Sequence, residues 1–256
     1  MASCGWMQSW SQPAVTEVQT TTSRPIDGEI LHYLVTYQWG PIYLEVGDVE
    51  FSTHLLSASD TIWQFDGWGT SRPHWNWFYP VDSRYKSLSS AQFLPMQFSR
   101  IGHEGRHEYN RIYHWEKAGI RLESEDAEID SQRLLTADGS ISWRDVMTAI
   151  HWTRHIDWNK KKEGEIISLN LILDGEFHQS HMTFEGLQWW TDPRQDSTYS
   201  CWVFRPKLID GTVFKANDEM RVFVTADERR LPLYVETELV VGKAKIYLNP
   251  PPQPSK

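Results

Sequence analysis

Three groups of residues in this 256-residue chain have the types and spacing to do chemistry. The first is His103-Glu104-Gly105-Arg106-His107, which satisfies the H-E-x-x-H spacing of a zinc hydrolase. On a helix, two imidazoles one turn apart reach a single Zn²⁺ and the Glu activates the bound water. The surroundings oppose that reading, because Gly102 and Gly105 interrupt the segment and the residues after it alternate as a strand. On a strand, positions 103 and 107 lie about 13 Å apart, too far to share one ion. Glu123, Glu125 or Glu128 would be the third ligand of such a site. The second group is His151 and His155, spaced i, i+4 with Asp157 close behind, a pair able to hold a metal from one face of a helix. Trp152 and Arg154 between them point instead to a packed or solvated face. The third is "GWGTSRPHWNWFYPVDSRY", residues 67–85, whose aromatic side chains could form a ligand platform or a piece of core.

Other chemistries leave no mark. There is no G-x-S-x-G elbow, phosphate loop or dinucleotide fingerprint, and no pattern that asks for a cofactor. Asp227-Glu228 could act as paired carboxylates on a glycan, yet adjacency in a polar turn before Arg229-Arg230 describes a solvated charge cluster. Two cysteines, Cys4 and Cys201, cannot build a disulfide framework or a zinc site, and Cys201 in a strand pattern reads as a small buried side chain. The net charge of −9 opposes a nucleic-acid partner, which needs clustered Lys and Arg. No run is long and apolar enough for a transmembrane span.

The elements that must position these residues are mostly strands. Fourteen Trp, with abundant Tyr and Phe, favour pleated, half-buried segments. "EILHYLVTYQW" places Leu31, Tyr33, Val35, Tyr37 and Trp39 on one face, and Gly40-Pro41 ends it. A second strand follows with a bulge expected at Gly47, and "DTIWQFDGWGT" gives a third. Strands continue to about residue 124, and one short helix is predicted over 142–156 with Ser142 as its N-cap. Asp174-Gly175 marks a hairpin turn, and more strands run to residue 248. Roughly a dozen short strands with one helix predict an all-β fold, a mostly antiparallel, curved, barrel-like sheet. The expected organisation is an extended lead-in over 1–26, one β-rich domain over 27–249 and a Pro-rich tail over 250–256.

The stretches "GEILHYLVTYQWGPIYLEVGDVEF", "YPVDSRYKSL", "FLPMQF", "RHIDWNKKKEGE" and "GTVFKANDEMRVFVTADERRLPLYVETELVVGKAKIYL" resemble the domain of unknown function family 3108. The most specific part is "TADERRLP" followed by "VVGKAKIYL", similar to the family's T-D-D-E-x-x-x-P turn, with Ala226 departing at one acidic position. The resemblance implies a β-rich protein with no established activity or catalytic residues, exported to the periplasm or outer membrane of a Gram-negative cell. It also implies that the aromatic side of the segment holding Trp75 and Trp77 packs inside the sheet, which leaves Trp68, His74 and Tyr85 as the ligand-binding candidates. Together these readings predict a non-enzymatic envelope domain binding an apolar ligand such as a lipid, or a glycan. The alternatives are a metal-dependent hydrolase using the histidine motifs and an assembly protein that pairs an envelope partner with an exposed sheet edge.

Overall fold

A computed structural model of the chain describes residues 24–57, 59, 61–125, 132–139, 141–207, 220–239 and 241–250. The chain first runs through eight strands: β1 (Ile30–Trp39), β2 (Ile42–Ser57), β3 (Ile62–Ser71), β4 (Val81–Ser89), β5 (Pro95–Glu104), β6 (His107–Glu116), β7 (Gly119–Ser124) and β8 (Gln132–Leu135). Helix α1 (Val146–Arg154) follows. Six more strands complete the fold: β9 (Ile166–Leu173), β10 (Glu176–Asp192), β11 (Ser197–Pro206), β12 (Met220–Thr225), β13 (Pro232–Glu238) and β14 (Lys243–Leu248). All belong to one antiparallel sheet in the order β8-β7-β6-β5-β4-β3-β2-β1-β14-β13-β12-β11-β10-β9. The two halves are meanders in which sequence neighbours pair, and they join where β1 pairs β14, from Tyr33 with Leu248 to Gln38 with Lys243.

The sheet curls around α1. On β3 the period of two turns Trp63 and Phe65 inward and Trp68 outward. The inward residues meet Met147 and Trp152 of the helix and Ile156 and Trp158 beyond it, in a core that continues to Ile167, Ile172 and Phe184 on the other half of the sheet. Each such side chain contributes about 1.5–3 kcal/mol on burial, so the helix serves as the filling of the curve. The halves also touch directly, since Gly175 N, at the β9–β10 turn, donates to the Tyr113 hydroxyl at 3.1 Å. Beside it Asp174 accepts from Arg100 Nη1 at 3.0 Å. These contacts draw the open sheet into a barrel-like shape.

A second core forms where β11 is buried on both faces, with Trp202 and Phe204 in the first cluster and Tyr199, Cys201 and Val203 in the second. Burial pushes the Cys201 thiol up to about 12, so it is the inert small side chain its strand pattern suggested. Trp190 covers this second core, stacked on Tyr234 with ring centroids 4.8 Å apart.

The helix is shorter than the predicted 142–156, and its N-cap is Asp145 rather than Ser142. The cause is a competing partner for the backbone. Arg144 N donates to Asn170 O at 3.0 Å and Arg144 O accepts from Ile172 N at 2.9 Å, which holds residue 144 extended against β9. At the far end Arg230 Nη1 donates to Ile156 O at 2.9 Å and to Arg154 O at 3.3 Å, satisfying carbonyls the helix leaves open. The predicted bulge falls at Val46, one residue before Gly47, because Val35 pairs Gly47 and Thr36 pairs Glu45. Residues 1–23 of the expected lead-in, with Cys4, and 251–256 of the tail lie outside the described residues.

Candidate functional site

The H-E-x-x-H motif is a hairpin. His103 and Glu104 end β5, Gly105-Arg106 turn, and His107 opens β6 opposite Glu104. Neighbouring strand residues face opposite sides of a sheet, so the His103 imidazole and Glu104 carboxylate diverge. Glu104 is committed elsewhere: its Oε1 accepts from Ser83 Oγ, the Tyr85 hydroxyl and Arg100 Nη2, each at 2.9 Å. Burial pushes this carboxyl up, and the Arg100 charge with the three hydrogen bonds more than reverses that, holding it below the usual carboxylate range. A zinc hydrolase at this motif is therefore not what the fold builds. Of the conceivable third ligands, Glu123 pairs with Arg121 and Glu125 accepts from Asn110, while Glu128 lies outside the described residues. Among the described residues no group of three or more His, Cys, Asp or Glu could hold a metal ion.

His151 sits on α1 as predicted and His155 is the residue that caps its C-terminus, but the rings of both enter the aromatic core. His151 is 1% exposed and stacks on Phe65 with centroids 3.8 Å apart, and neither ring nitrogen has a hydrogen-bond partner. Burial, then the charges of Arg154 and His155, pushes its pKa well below the ordinary value. His155 Nδ1 lies 2.7 Å from His151 O, its ring packs on Phe93, and burial lowers it to about 4. Two neutral rings, each against its own Phe, form a packed face and not a metal-binding one.

The three aromatic-segment candidates separate. Trp68 stands on the outer face of β3, 44% exposed, with Nε1 donating to Asp82 Oδ1 at 2.8 Å and the Arg84 guanidinium 5.2 Å from its ring centre. Tyr85 lies one strand away on the inner face, where its ring packs on Phe98 and its hydroxyl donates to Glu104. Burial raises the phenol's pKa far above the ordinary value. His74 sits exposed in a single 3-10 turn, Pro73–Trp75, past the end of β3. The expectation that Trp75 and Trp77 belong to the core is also overturned. Trp75 is half-buried and donates from Nε1 to Glu45 O at 3.0 Å, whereas Trp77 is 80% exposed. Pro73 and Pro80 bracket the segment and withhold backbone donors, so its apparent alternation never becomes a strand.

Around Trp68 lies a hollow of about 570 Å³ on the outer face of β2–β5. Cross-strand register builds it. Glu50 lies opposite Trp68, Trp68 opposite Arg84, Ser52 opposite Asp66, and Asp66 opposite Lys86. The result is one exposed indole among two carboxylates, two cations and the hydroxyls of Ser52 and Ser99, with Ile101 at the border. Sequence reading found Trp68 and missed Glu50, Asp66, Arg84 and Lys86, because nothing within a single strand shows which polar residues a neighbouring strand sets beside it. Tyr85 borders the hollow by its position in β4 although its side chain points away. His74 is not among the residues that line it.

A family model described as "Protein of unknown function (DUF3108)" matches residues 32–249. Among solved structures, the chain is similar to a crystal structure of a "Beta-barrel-like Protein of Domain of Unknown Function DUF1849 from Brucella abortus". The TM-score is 0.58 at 7% identity, over 88% of this chain and 97% of that one, a likeness of fold. No curated protein matches.

Proposed function

The chain belongs to the DUF3108 family of proteins of unknown function, and we propose that it is a non-enzymatic binding domain of the cell envelope that takes a glycan on the outer face of its sheet. The observation that carries this reading is the setting of Trp68. A sugar ring presents an apolar C–H face that packs on an indole, and its hydroxyls take donors and acceptors around the rim. Asp66 and Glu50 supply acceptors, and Arg84 and Lys86 supply donors, around the one exposed aromatic face. An apolar ligand held inside the curve has less support, because α1 with Trp152, Ile156 and Trp158 fills that space.

A glycan array on the purified full chain, followed by calorimetric titration of the best oligosaccharide, tests the reading. Trp68→Ala is expected to weaken binding at least tenfold, about 1.4 kcal/mol. Absence of any glycan binding by the wild type, or binding unchanged in the variant, would overturn it. Periplasmic or outer-membrane location is part of the proposal, and recovery of the native gene product in the cytosolic fraction would count against it.

A further inference from the structure

A second surface lies apart from the Trp68 hollow. The β1–β2 turn carries Trp39, Ile42 and Tyr43, which are 56%, 43% and 49% exposed, and the β3–β4 connection carries Trp77, Phe78 and Tyr79 at 80%, 73% and 44%. These connections are neighbours at one end of the sheet. Arg72 N donates to Val46 O and Trp75 Nε1 to Glu45 O, which pins the second segment along the first hairpin. Tyr79 in turn lies over the β5–β6 turn, so closely that a Cβ on Gly105 would come within 2.5 Å of its ring. Six large apolar side chains thus project from adjoining loop tips, and Trp77 and Phe78 meet edge to face at 5.8 Å.

We infer that this aromatic rim docks the protein on a lipid membrane surface. The chemistry favours a bilayer over a protein groove. Trp and Tyr have an apolar body and a polar tip, which suits the boundary between acyl chains and headgroups, and they stand on projecting tips able to enter that layer by about 5–10 Å. The charge pattern agrees. In a chain of net charge −9, the segments 39–43, "WGPIY", and 73–80, "PHWNWFYP", contain no Asp or Glu. The acidic residues just behind them, Glu45 and Asp48, are both ion-paired with Arg72, and the exposed Arg106 sits in the turn beneath Tyr79. The two aromatic segments therefore present no carboxylate of their own to an anionic headgroup layer.

The test is co-sedimentation of the purified full chain with vesicles of phosphatidylcholine, alone or with about one-third phosphatidylglycerol, and tryptophan quenching by brominated acyl chains. Wild type is expected to partition onto both vesicle types with its fluorescence quenched. The Trp77→Ala/Phe78→Ala double variant is expected to lose at least tenfold in partitioning while keeping its circular dichroism spectrum. Trp189→Ala, which removes a 77% exposed aromatic from β10 outside the rim, is expected to leave binding unchanged. Wild type that stays in the supernatant with both vesicle types overturns the inference, as does equal loss in the rim and β10 variants. A protein partner that binds through the rim while both vesicles are ignored would also overturn it.

Discussion

Replacing Asp145 offers the sharpest check on how the helix is held inside the curve. The carboxylate is fully buried; Oδ1 accepts from Thr148 N at 2.9 Å, and Oδ2 accepts from Thr148 Oγ1 at 2.8 Å and Ser87 Oγ at 2.9 Å. In Asp145→Ala the helix loses its N-cap, a cost of about 1 kcal/mol. The Thr148 N–H that this cap satisfied is left buried without an acceptor, which puts that cost at about 1–3 kcal/mol. Ser87 Oγ and Thr148 Oγ1 lie 2.8 Å apart, so one hydroxyl can donate to the other, and the second loses its acceptor at a further cost of about 1 kcal/mol. A total of about 2–4 kcal/mol corresponds to a fall in Tm of about 5–15 °C for a chain of this size. Asp145→Asn keeps an acceptor and should lose about 1 kcal/mol or less. Burial, against the hydrogen bonds, raises the Asp145 pKa, so folding favours its protonated form. That contribution is full below the unfolded carboxyl pKa and disappears as pH rises through the folded value. The Asn variant should accordingly gain on wild type as pH rises across that window. Thermal and denaturant unfolding followed by circular dichroism measures all three proteins. An Ala variant within about 1 kcal/mol of wild type would refute the capping account, and an Asn variant as weak as Ala would show that charge rather than acceptor geometry matters.

Two further outcomes are expected. His151 and His155 have pKa values depressed by burial, to about 4 for His155, so the stability they confer is full above the ordinary histidine value and is lost as pH falls toward the folded values. Wild-type Tm should therefore drop between about pH 6.5 and pH 4. His151→Leu, which removes two buried nitrogens without partners, should lie within about 1 kcal/mol of wild type at neutral pH and show a shallower acid loss; an unchanged pH profile would contradict this. Gly102→Ala should destabilise by about 1–3 kcal/mol or more, because Gly102 has φ +143° and a Cβ there would approach Asp82 O to 2.0 Å; a Tm equal to wild type would exclude that geometry.

Most of the sheet was legible because strand alternation is local. Leu31, Tyr33, Trp63 and Phe65 declare their faces within a few residues, and Asp174-Gly175 declares its hairpin. What failed depended on partners distant in sequence. Residues 142–144 have a helical pattern, and only the backbone of β9, nearly thirty residues later, pulls Arg144 out of it. Trp75, Trp77 and Tyr79 alternate like a strand, yet Pro73 and Pro80 bracket them and, among the described residues, no strand pairs with them. The glycine-rich context of residues 102–107 already argued against a zinc helix, and the hairpin agrees. The hollow around Trp68 was half visible: its aromatic centre stood out, but its charged border exists only through cross-strand register.

The pairing of β1 with β14 has a consequence for how the molecule is made. Among the described residues every other strand pairing joins sequence neighbours, so each meander can zip up from local turns. The central seam instead closes a loop of about two hundred residues, the arrangement that raises contact order and slows folding. Until residues 243–248 arrive, the Tyr33–Gln38 edge of β1 is unpaired in the middle of what will become the sheet, open to pairing with another chain. During synthesis β14, the last strand of this sheet to emerge, is the one that removes this hazard. A holding chaperone would therefore have most to protect just before β14 is made.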